Sequence, residues 1–135
     1  MRKGVATFAA VGLVASLGLT ACSQPQEESP GGEDKPKVGV ILPDQASSVR
    51  WETADRRYLE EAFQAAGIDY EIKNAQGSTE NFLTLTDQLI TSGIDILMIV
   101  NLDSGSGAAA LQKARNAGVK TIDYDRLTLN GGADY

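Results

Sequence analysis

The residues best suited to bind a small polar molecule are an acid and a base at the end of a predicted strand. Asp125 and Arg126 end the stretch V-K-T-I-D-Y-D-R, which begins after Gly118. A carboxylate accepts hydrogen bonds and a guanidinium donates them, so together they can bind an uncharged ligand that does both. In a doubly wound sheet, ligands bind outside the carboxyl ends of the strands. The alternative is a surface turn in which both side chains are solvated.

Three further candidate residues follow other predicted strands. Arg50 and Trp51 come after the loop that leaves the first strand, and Asn101 directly follows the third. Arg50 offers hydrogen bond donors, and Trp51 offers a flat and rigid apolar face. The alternative has Arg50 solvated on a helix and Trp51 in the core, where large aromatic side chains usually lie.

The composition excludes several kinds of chemistry. The 135 residues include no histidine, which excludes Ser-His-Asp and Cys-His catalysis and removes the commonest ligand of transition metals. A D-x-D-x-D-G calcium loop is also missing, so we predict neither a metal site nor a cofactor. The net charge is −6, which makes nucleic acid a poor candidate partner.

Residues 1–21 have the pattern of an export signal. Arg2 and Lys3 precede an uncharged apolar run, residues 4–19, and small residues precede Cys22. The run is shorter than the ~20 residues that span a bilayer comfortably, and the alternative is a short anchor that is never cut. Cys22 is the only cysteine, so an intrachain disulfide is excluded and a free thiol is the alternative to a modified one.

Residues 22–36 are predicted to be a disordered tether. The segment after Cys22 reads S-Q-P-Q-E-E-S-P-G-G-E-D-K-P, with three prolines and no apolar periodicity. As a flexible coil it would span roughly 20 Å, enough to hold a domain away from a membrane surface.

Residues 37–135 alternate predicted strands and helices, which indicates an α/β domain. The predicted strands are residues 37–43, 69–75, 96–100 and 119–126. The first predicted helix places residues from Trp51 to Ala66 along one side, the second lies between a cap at Ser78 and Gly93, and the third covers residues 108–117. Strands separated by helices of this length form β-α-β units and a doubly wound parallel sheet. Right-handed crossovers then place all four strand exits at one edge.

The fourth predicted strand has the pattern of a strand with neighbours on both sides. Val119, Thr121, Ile122 and Tyr124 carry this pattern, and the sequence ends at Tyr135. We therefore expect an incomplete sheet, in which one edge of this strand has unpaired backbone groups. Such an edge invites pairing with another chain.

A glycine motif raises an enzyme alternative. Residues 105–110 read G-S-G-A-A-A, which fits the G-x-G-x-x-A dinucleotide fingerprint, and Asp125 follows Gly105 by 20 residues, as a ribose-binding acid would. However, four residues separate the third strand from Gly105, whereas the fingerprint needs this glycine in the tight first turn. We favour the other interpretation, a helix start whose small residues pack closely on the sheet.

Four motifs occur in a characteristic order between residue 37 and residue 135: K-V-G-V-I-L-P, S-S-V-R-W, D-Q-L-I-T-S-G-I-D-I-L-M-I-V-N and A-G-V-K-T-I-D-Y-D-R. In this order they resemble the first lobe of the periplasmic sugar-binding proteins that feed ABC importers, most of all the xylose-binding and multiple-sugar-binding branch. The resemblance implies a partial N-terminal lobe of a two-lobe fold. It also implies a binding protein without catalytic activity, which delivers a monosaccharide such as xylose to an ABC transporter permease.

The same resemblance implies roles for individual residues. Arg50, Asp125 and Arg126 match family residues that hydrogen-bond sugar hydroxyls, and Asn101 matches a ligand-contacting asparagine of ribose-binding relatives. Trp51 is a candidate platform for the C–H face of the sugar. In the family the ligand is closed between two lobes, so we expect the contacts of the second lobe to be missing from these 135 residues.

The sequence L-T-A-C, which ends at Cys22, resembles the lipobox of bacterial lipoproteins. In that family the cysteine becomes the lipid-modified N-terminus after cleavage. The resemblance implies an exported protein that the lipid on Cys22 anchors to the outer face of the cell membrane or in the periplasm.

Overall fold

The computed structural model describes residues 35–135. The predicted export signal, the lipid attachment at Cys22 and the tether up to residue 34 lie outside the described residues. Within residues 35–135, no helix has both the length and the apolar character that crossing a bilayer requires.

The described residues form a four-stranded parallel sheet with helices between the strands, as the sequence predicts. The strands are β1 (Val38–Leu42), β2 (Tyr70–Asn74), β3 (Ile96–Ile99) and β4 (Lys120–Asp123), and the helices are α1 (Arg56–Ala66), which a π-helical turn at Trp51–Asp55 precedes, α2 (Thr79–Thr91) and α3 (Ser104–Asn116). The strand order is β2-β1-β3-β4, and each neighbouring pair is parallel. The predicted α/β class and parallel sheet are therefore confirmed.

Helices cover both faces of the sheet because side chains along a strand alternate between its two faces. Val38, Val40 and Leu42 of β1 pack in one apolar cluster with Trp51. Ile41, between them, packs in a second cluster with residues of α2 and α3. Both faces of β1 are therefore buried, which explains why its sequence is a continuous apolar run.

Residues 134 and 135 cover part of the outer edge of β4. The prediction that this edge has unpaired backbone groups is therefore wrong for Thr121 and Asp123. The N–H groups of Asp134 and Tyr135 donate to the C=O of Thr121 at 3.1 and 3.2 Å, and the C=O of Tyr135 accepts from Asp123 at 2.9 Å. The carboxylate of Asp134 also accepts from the N–H and the hydroxyl of Thr121, both at 2.8 Å. Residues 134 and 135 thus run beside β4 with the hydrogen bonds of a parallel pair.

Candidate functional site

The carboxyl ends of the strands meet at one edge of the sheet, and side chains from three exit loops touch there. Arg50, from the segment after β1, pairs with Asp125 after β4. Arg126, also after β4, donates to the backbone of Asn101 after β3. The structure therefore brings together four of the residues that the sequence singles out.

Arg50 lies between two carboxylates. Its Nη2 donates to Asp125 Oδ1 at 2.5 Å, and its Nε lies 3.0 Å from Asp55 Oδ2. The hydrogen bond to Asp125 raises the pKa of Arg50. The side chains of Arg50 and Asp125 remain 46% and 33% exposed, which leaves the pair accessible to a ligand.

Asp125 reaches Arg50 through an unusual backbone conformation. Its φ is +65°, in the left-handed region that few residues other than glycine adopt. Asp is tolerated there because its short polar side chain can bond locally. The chain therefore turns away from β4 at this residue, which presents the carboxylate to solvent at the sheet edge.

Arg126 is held by two oxygen atoms from different loops. Its Nη1 donates to the C=O of Asn101 at 2.9 Å, and its Nη2 donates to Ser47 Oγ at 3.3 Å. In return, Asn101 Nδ2 donates to the C=O of Arg126 at 3.3 Å. The exit loops of β1, β3 and β4 are thereby connected through one guanidinium.

Asn101 is mostly committed to the protein itself. Its side chain belongs to a residue that is only 6% exposed, and its amide nitrogen also donates to Thr128 Oγ1 at 2.8 Å. The Asn101 side chain therefore connects the loops after β3 and β4 through hydrogen bonds. Its contact with a ligand stays a prediction.

Trp51 lies in the core, which is the alternative to an exposed platform. It is 2% exposed and packs against β1 and Val100. The Cζ atoms of Arg50 and Arg126 lie 4.2 and 5.3 Å from its ring centroid, at cation–π distance. The indole has little ring surface left for a ligand here, because it fills the space beneath both arginines.

Ser47 is one residue of this cluster that its sequence context did not reveal. Its hydroxyl donates to Asp44 Oδ2 at 2.8 Å and accepts from Trp51 Nε1 at 3.2 Å as well as from Arg126. The backbone N–H of Ser47 also donates to the Asp44 carboxylate, and this bond lowers the pKa of Asp44. These bonds connect the loop after β1 to Trp51 and Arg126.

Asp55 and Tyr124 were missed as well. Asp55 is 8% exposed, and its Oδ1 accepts from the Tyr124 hydroxyl at 2.7 Å. This hydrogen bond raises the pKa of Tyr124. Helical ion pairs normally lie three or four residues apart, whereas Arg50 and Asp55 are five apart. The π-helical turn at Trp51–Asp55, whose period is longer, accommodates that spacing.

The glycine motif lies inside α3 rather than in a turn before it. α3 begins at Ser104, so Gly105 is already helical. The Asp103 side chain caps the helix, accepting from the N–H of Ser106 at 2.9 Å and from its hydroxyl at 2.8 Å. A dinucleotide would place its pyrophosphate at such a helix start, which a carboxylate already occupies. This arrangement does not favour the enzyme alternative.

Two pockets of about 400 Å³ flank the Arg50–Asp125 pair. Arg50, Asp55 and Tyr124 line one of them, while Asp125 and Arg126 line the other. Both volumes fall within the range of small-molecule sites. Residues 35–135 contain no cluster of three or more groups placed to hold a metal ion. Because it combines an accepting carboxylate with donating guanidinium groups, the site is suited to a small ligand that both donates and accepts hydrogen bonds.

Comparison with known proteins gives a consistent result. Residues 38–135 match the family described as periplasmic binding protein domain. The multiple sugar-binding periplasmic receptor ChvE of Rhizobium radiobacter is 36% identical over 103 residues, which is 76% of this chain and 28% of that protein. The multiple sugar-binding periplasmic protein SbpA of Azospirillum brasilense is 34% identical over 95 residues, or 70% of this chain and 26% of that protein.

A solved structure is similar in both sequence and fold. It is a carbohydrate transporter solute-binding protein from Chloroflexus aurantiacus in complex with D-glucose, 40% identical with a TM-score of 0.61. The match covers 70% of this chain and 28% of that one. The chain thus spans just over a quarter of the length of these relatives. All three are described as binding or transport proteins, which supports the binding interpretation over the enzyme alternative.

Proposed function

This chain belongs to the periplasmic binding protein domain family, and from that premise we propose that residues 37–135 form one side of the site of an exported monosaccharide-binding protein. The observation that carries the proposal is the group of charged side chains at the sheet edge. Arg50, Asp125 and Arg126 come from two different exit loops, and the Arg50–Asp125 pair is open to solvent.

The chemistry of a sugar hydroxyl fits this group. A hydroxyl donates one hydrogen bond and accepts others, so its site needs acceptors and donors fixed side by side. Asp125 supplies the acceptor, the two guanidinium groups supply donors, and Asn101 is a further contact in this proposal. Charged partners strengthen each bond. Once a second lobe has closed over these groups, an analogue that lacks the hydroxyl is rejected because the groups stay unpaired.

The proposed ligand class is a neutral monosaccharide, with xylose and glucose as the first candidates. The similar proteins named above are described as binding multiple sugars or D-glucose. The proposed partner is the permease of an ABC importer, to which the loaded protein delivers the sugar. The remaining ligand contacts come from outside residues 35–135, from a second lobe that closes over the sugar.

The proposed location is outside the cytoplasm, at the membrane surface. The support is the export pattern of residues 1–21 and the L-T-A-C sequence that ends at Cys22. A lipid on Cys22 would hold the protein at the outer face of the membrane, and the polar segment after it would give the domain reach.

Isothermal titration calorimetry of the full-length protein, meaning this chain together with the proposed second lobe, tests the proposed function. The panel contains the pentoses xylose, arabinose and ribose and the hexoses glucose, galactose and allose, with mannitol as an acyclic control. We expect saturable binding of at least one sugar ring. A folded full-length protein that binds no member of the panel would contradict the proposed function.

A further inference from the structure

We propose that Asp55 is a positioning residue, which fixes the orientation of the Arg50 guanidinium and so determines which of its N–H groups the ligand meets. This inference rests on the proposed function. It concerns a residue whose carboxylate is already bonded to two side chains of the protein, Arg50 and Tyr124.

Asp55 faces one edge of the guanidinium. Its Oδ2 lies 3.0 Å from Arg50 Nε, and its Oδ1 lies 3.4 Å from Arg50 Nη2. A carboxylate that meets both nitrogens has the fork geometry that fixes the plane of an arginine. The Asp55 side chain is only 9% exposed, so water competes little for these contacts.

The carboxylate of Asp55 is itself fixed from the other side. Tyr124 lies directly after β4, and its hydroxyl donates a hydrogen bond to Asp55 Oδ1 at 2.7 Å. Asp55 sits in the π-helical turn before α1, so the contact joins this turn to the end of β4. The orientation of Arg50 therefore depends on a bond that spans 69 residues of sequence.

This arrangement leaves one end of Arg50 for a ligand. Its Nε and Nη2 point to Asp55, and Nη2 also donates to Asp125 at 2.5 Å. Among the residues that the structure describes, none accepts a hydrogen bond from Arg50 Nη1. This nitrogen carries two N–H groups, and the Arg50 side chain is 46% exposed. The ligand hydroxyl would therefore bond to Nη1.

A double-mutant cycle in the full-length protein tests the role of Asp55. Asp55→Asn keeps the shape of the side chain and removes its charge, while Arg50→Lys keeps a positive charge and removes the fork. We expect Asp55→Asn to weaken sugar affinity by roughly tenfold in the wild-type background and by less than about twofold in the Arg50→Lys background. Equal losses in the two backgrounds would show that Asp55 does not act through Arg50, and would overturn the inference.

Two further measurements keep the inference testable on its own. Tyr124→Phe keeps the Asp55 carboxylate and removes one hydrogen bond to it, so this variant replaces Asp55→Asn if Asp55→Asn does not fold. The loss of sugar affinity that Tyr124→Phe causes should also vanish in the Arg50→Lys background. The NMR signal of the Arg50 Nε–H group needs no sugar. In the wild-type protein we expect this signal to be shifted and to exchange slowly with water. In Asp55→Asn we expect it at the position of solvated arginines. An unchanged signal would overturn the inference even if the wild-type protein bound no sugar.

Discussion

Asp125 is the main acceptor of the proposed site, and its removal should weaken binding strongly. In the full-length protein we expect Asp125→Ala to cost at least ~2 kcal/mol of sugar binding, because Arg50 and a sugar hydroxyl lose a charged partner together. Calorimetry with the sugar that binds best measures this loss. Asp87→Ala is a matched control, since Asp87 pairs with Lys113 on the outer face of α2 and α3. Wild-type affinity in Asp125→Ala would remove this residue from the site.

We predict that the free energy of unfolding falls in acid, because several carboxyl groups are stabilised in their charged form. The pKa of five carboxyl groups is lowered by hydrogen bonds or ion pairs, at Asp44, Glu52, Glu71, Asp103 and Asp134. A lowered pKa in the folded state contributes stability that is present above the unfolded value, about 4, and is lost as pH falls through the folded value. We therefore expect the free energy of unfolding to be nearly constant from about pH 5 to 8 and to fall below about pH 4.

Urea unfolding at a series of pH values checks this expectation. Asp44→Asn is the informative variant, because its amide cannot titrate. The decline in acid should be shallower in Asp44→Asn than in the wild-type protein. Parallel curves for the two proteins would mean that the Ser47 bond to Asp44 does not contribute to the pH dependence.

The sequence singled out the charged residues that meet at the candidate site but not the residues that hold them. Asp125 and Arg126 stand out because an acid and a base follow an apolar strand. Asp55 does not, since its pairing with Arg50 needs a π-helical turn and its bond to Tyr124 needs the complete sheet. Contacts that depend on an irregular turn or on distant chain segments leave no short-range pattern in the sequence.

At the level of elements, Gly107 explains how close α3 comes to the loop after β4. A Cβ atom at this position would lie 2.8 Å from Thr128 Oγ1 and 2.9 Å from Asn101 Cβ. Both distances are too short, so Gly107 lets the loop approach the helix. Asn101 and Thr128 are also hydrogen-bonded to each other there.

We expect Gly107→Ala to destabilise the protein by about 1–3 kcal/mol, the usual cost of overpacking. Thermal unfolding of the full-length protein measures the change. Gly105→Ala is the control from the same motif. Its Cβ would meet a single Asp103 oxygen at 3.1 Å, and alanine improves helix propensity, so its cost should be smaller. Equal stability of the Gly107→Ala and wild-type proteins would contradict the packing explanation for this glycine.

The bounds of the elements were predicted least well where glycine or an unusual backbone occurs. α3 was predicted over residues 108–117 but begins at Ser104, because the Asp103 cap and the packing of Gly107 outweigh the poor helix propensity of glycine. The fourth strand was predicted over residues 119–126, whereas β4 ends at Asp123 and the positive φ of Asp125 follows. A run rich in alanine located the helix and an apolar stretch located the strand, whereas local backbone geometry set their ends.

At the scale of the whole molecule, the lipoprotein prediction concerns residues that the structure does not describe. We expect the mature protein to begin at Cys22 and to carry a diacylglyceryl group on its sulfur, since L-T-A-C follows an apolar run of suitable length. Mass spectrometry of the N-terminal peptide from membranes tests this directly. Cys22→Ser should abolish the modification and release the protein. An intact Met1, or an unmodified Cys22 after cleavage elsewhere, would contradict the prediction.

Residues 37–135 on their own should not bind sugar measurably. The Arg50–Asp125 pair is open to water on this side of the site, so sugar hydroxyls bonded to it would keep exchanging with solvent. Tight binding needs desolvation by closure and contacts from the opposite side, and a single lobe supplies neither.

The isolated domain, residues 37–135, should also associate with itself. The reason is a set of exposed apolar side chains rather than an open strand edge. The edge of β4 is paired with residues 134 and 135, but Leu127, Leu129 and Tyr135 are 76%, 62% and 83% exposed. A domain of this size buries limited apolar surface, so leaving such side chains in water makes it marginal.

Melting temperatures and light scattering of residues 37–135 test both expectations, with the full-length protein as the positive control. A ligand that binds only the folded state stabilises it by RT ln(1 + [L]/Kd) and so raises the melting temperature. We expect the full-length protein to respond to millimolar xylose or glucose and the isolated domain to show no shift. Leu127→Ser with Leu129→Ser should reduce its self-association without restoring binding, because neither side chain belongs to the polar group at the sheet edge. A stable monomer of residues 37–135 with a clear sugar-dependent shift would mean that this side of the site is sufficient by itself.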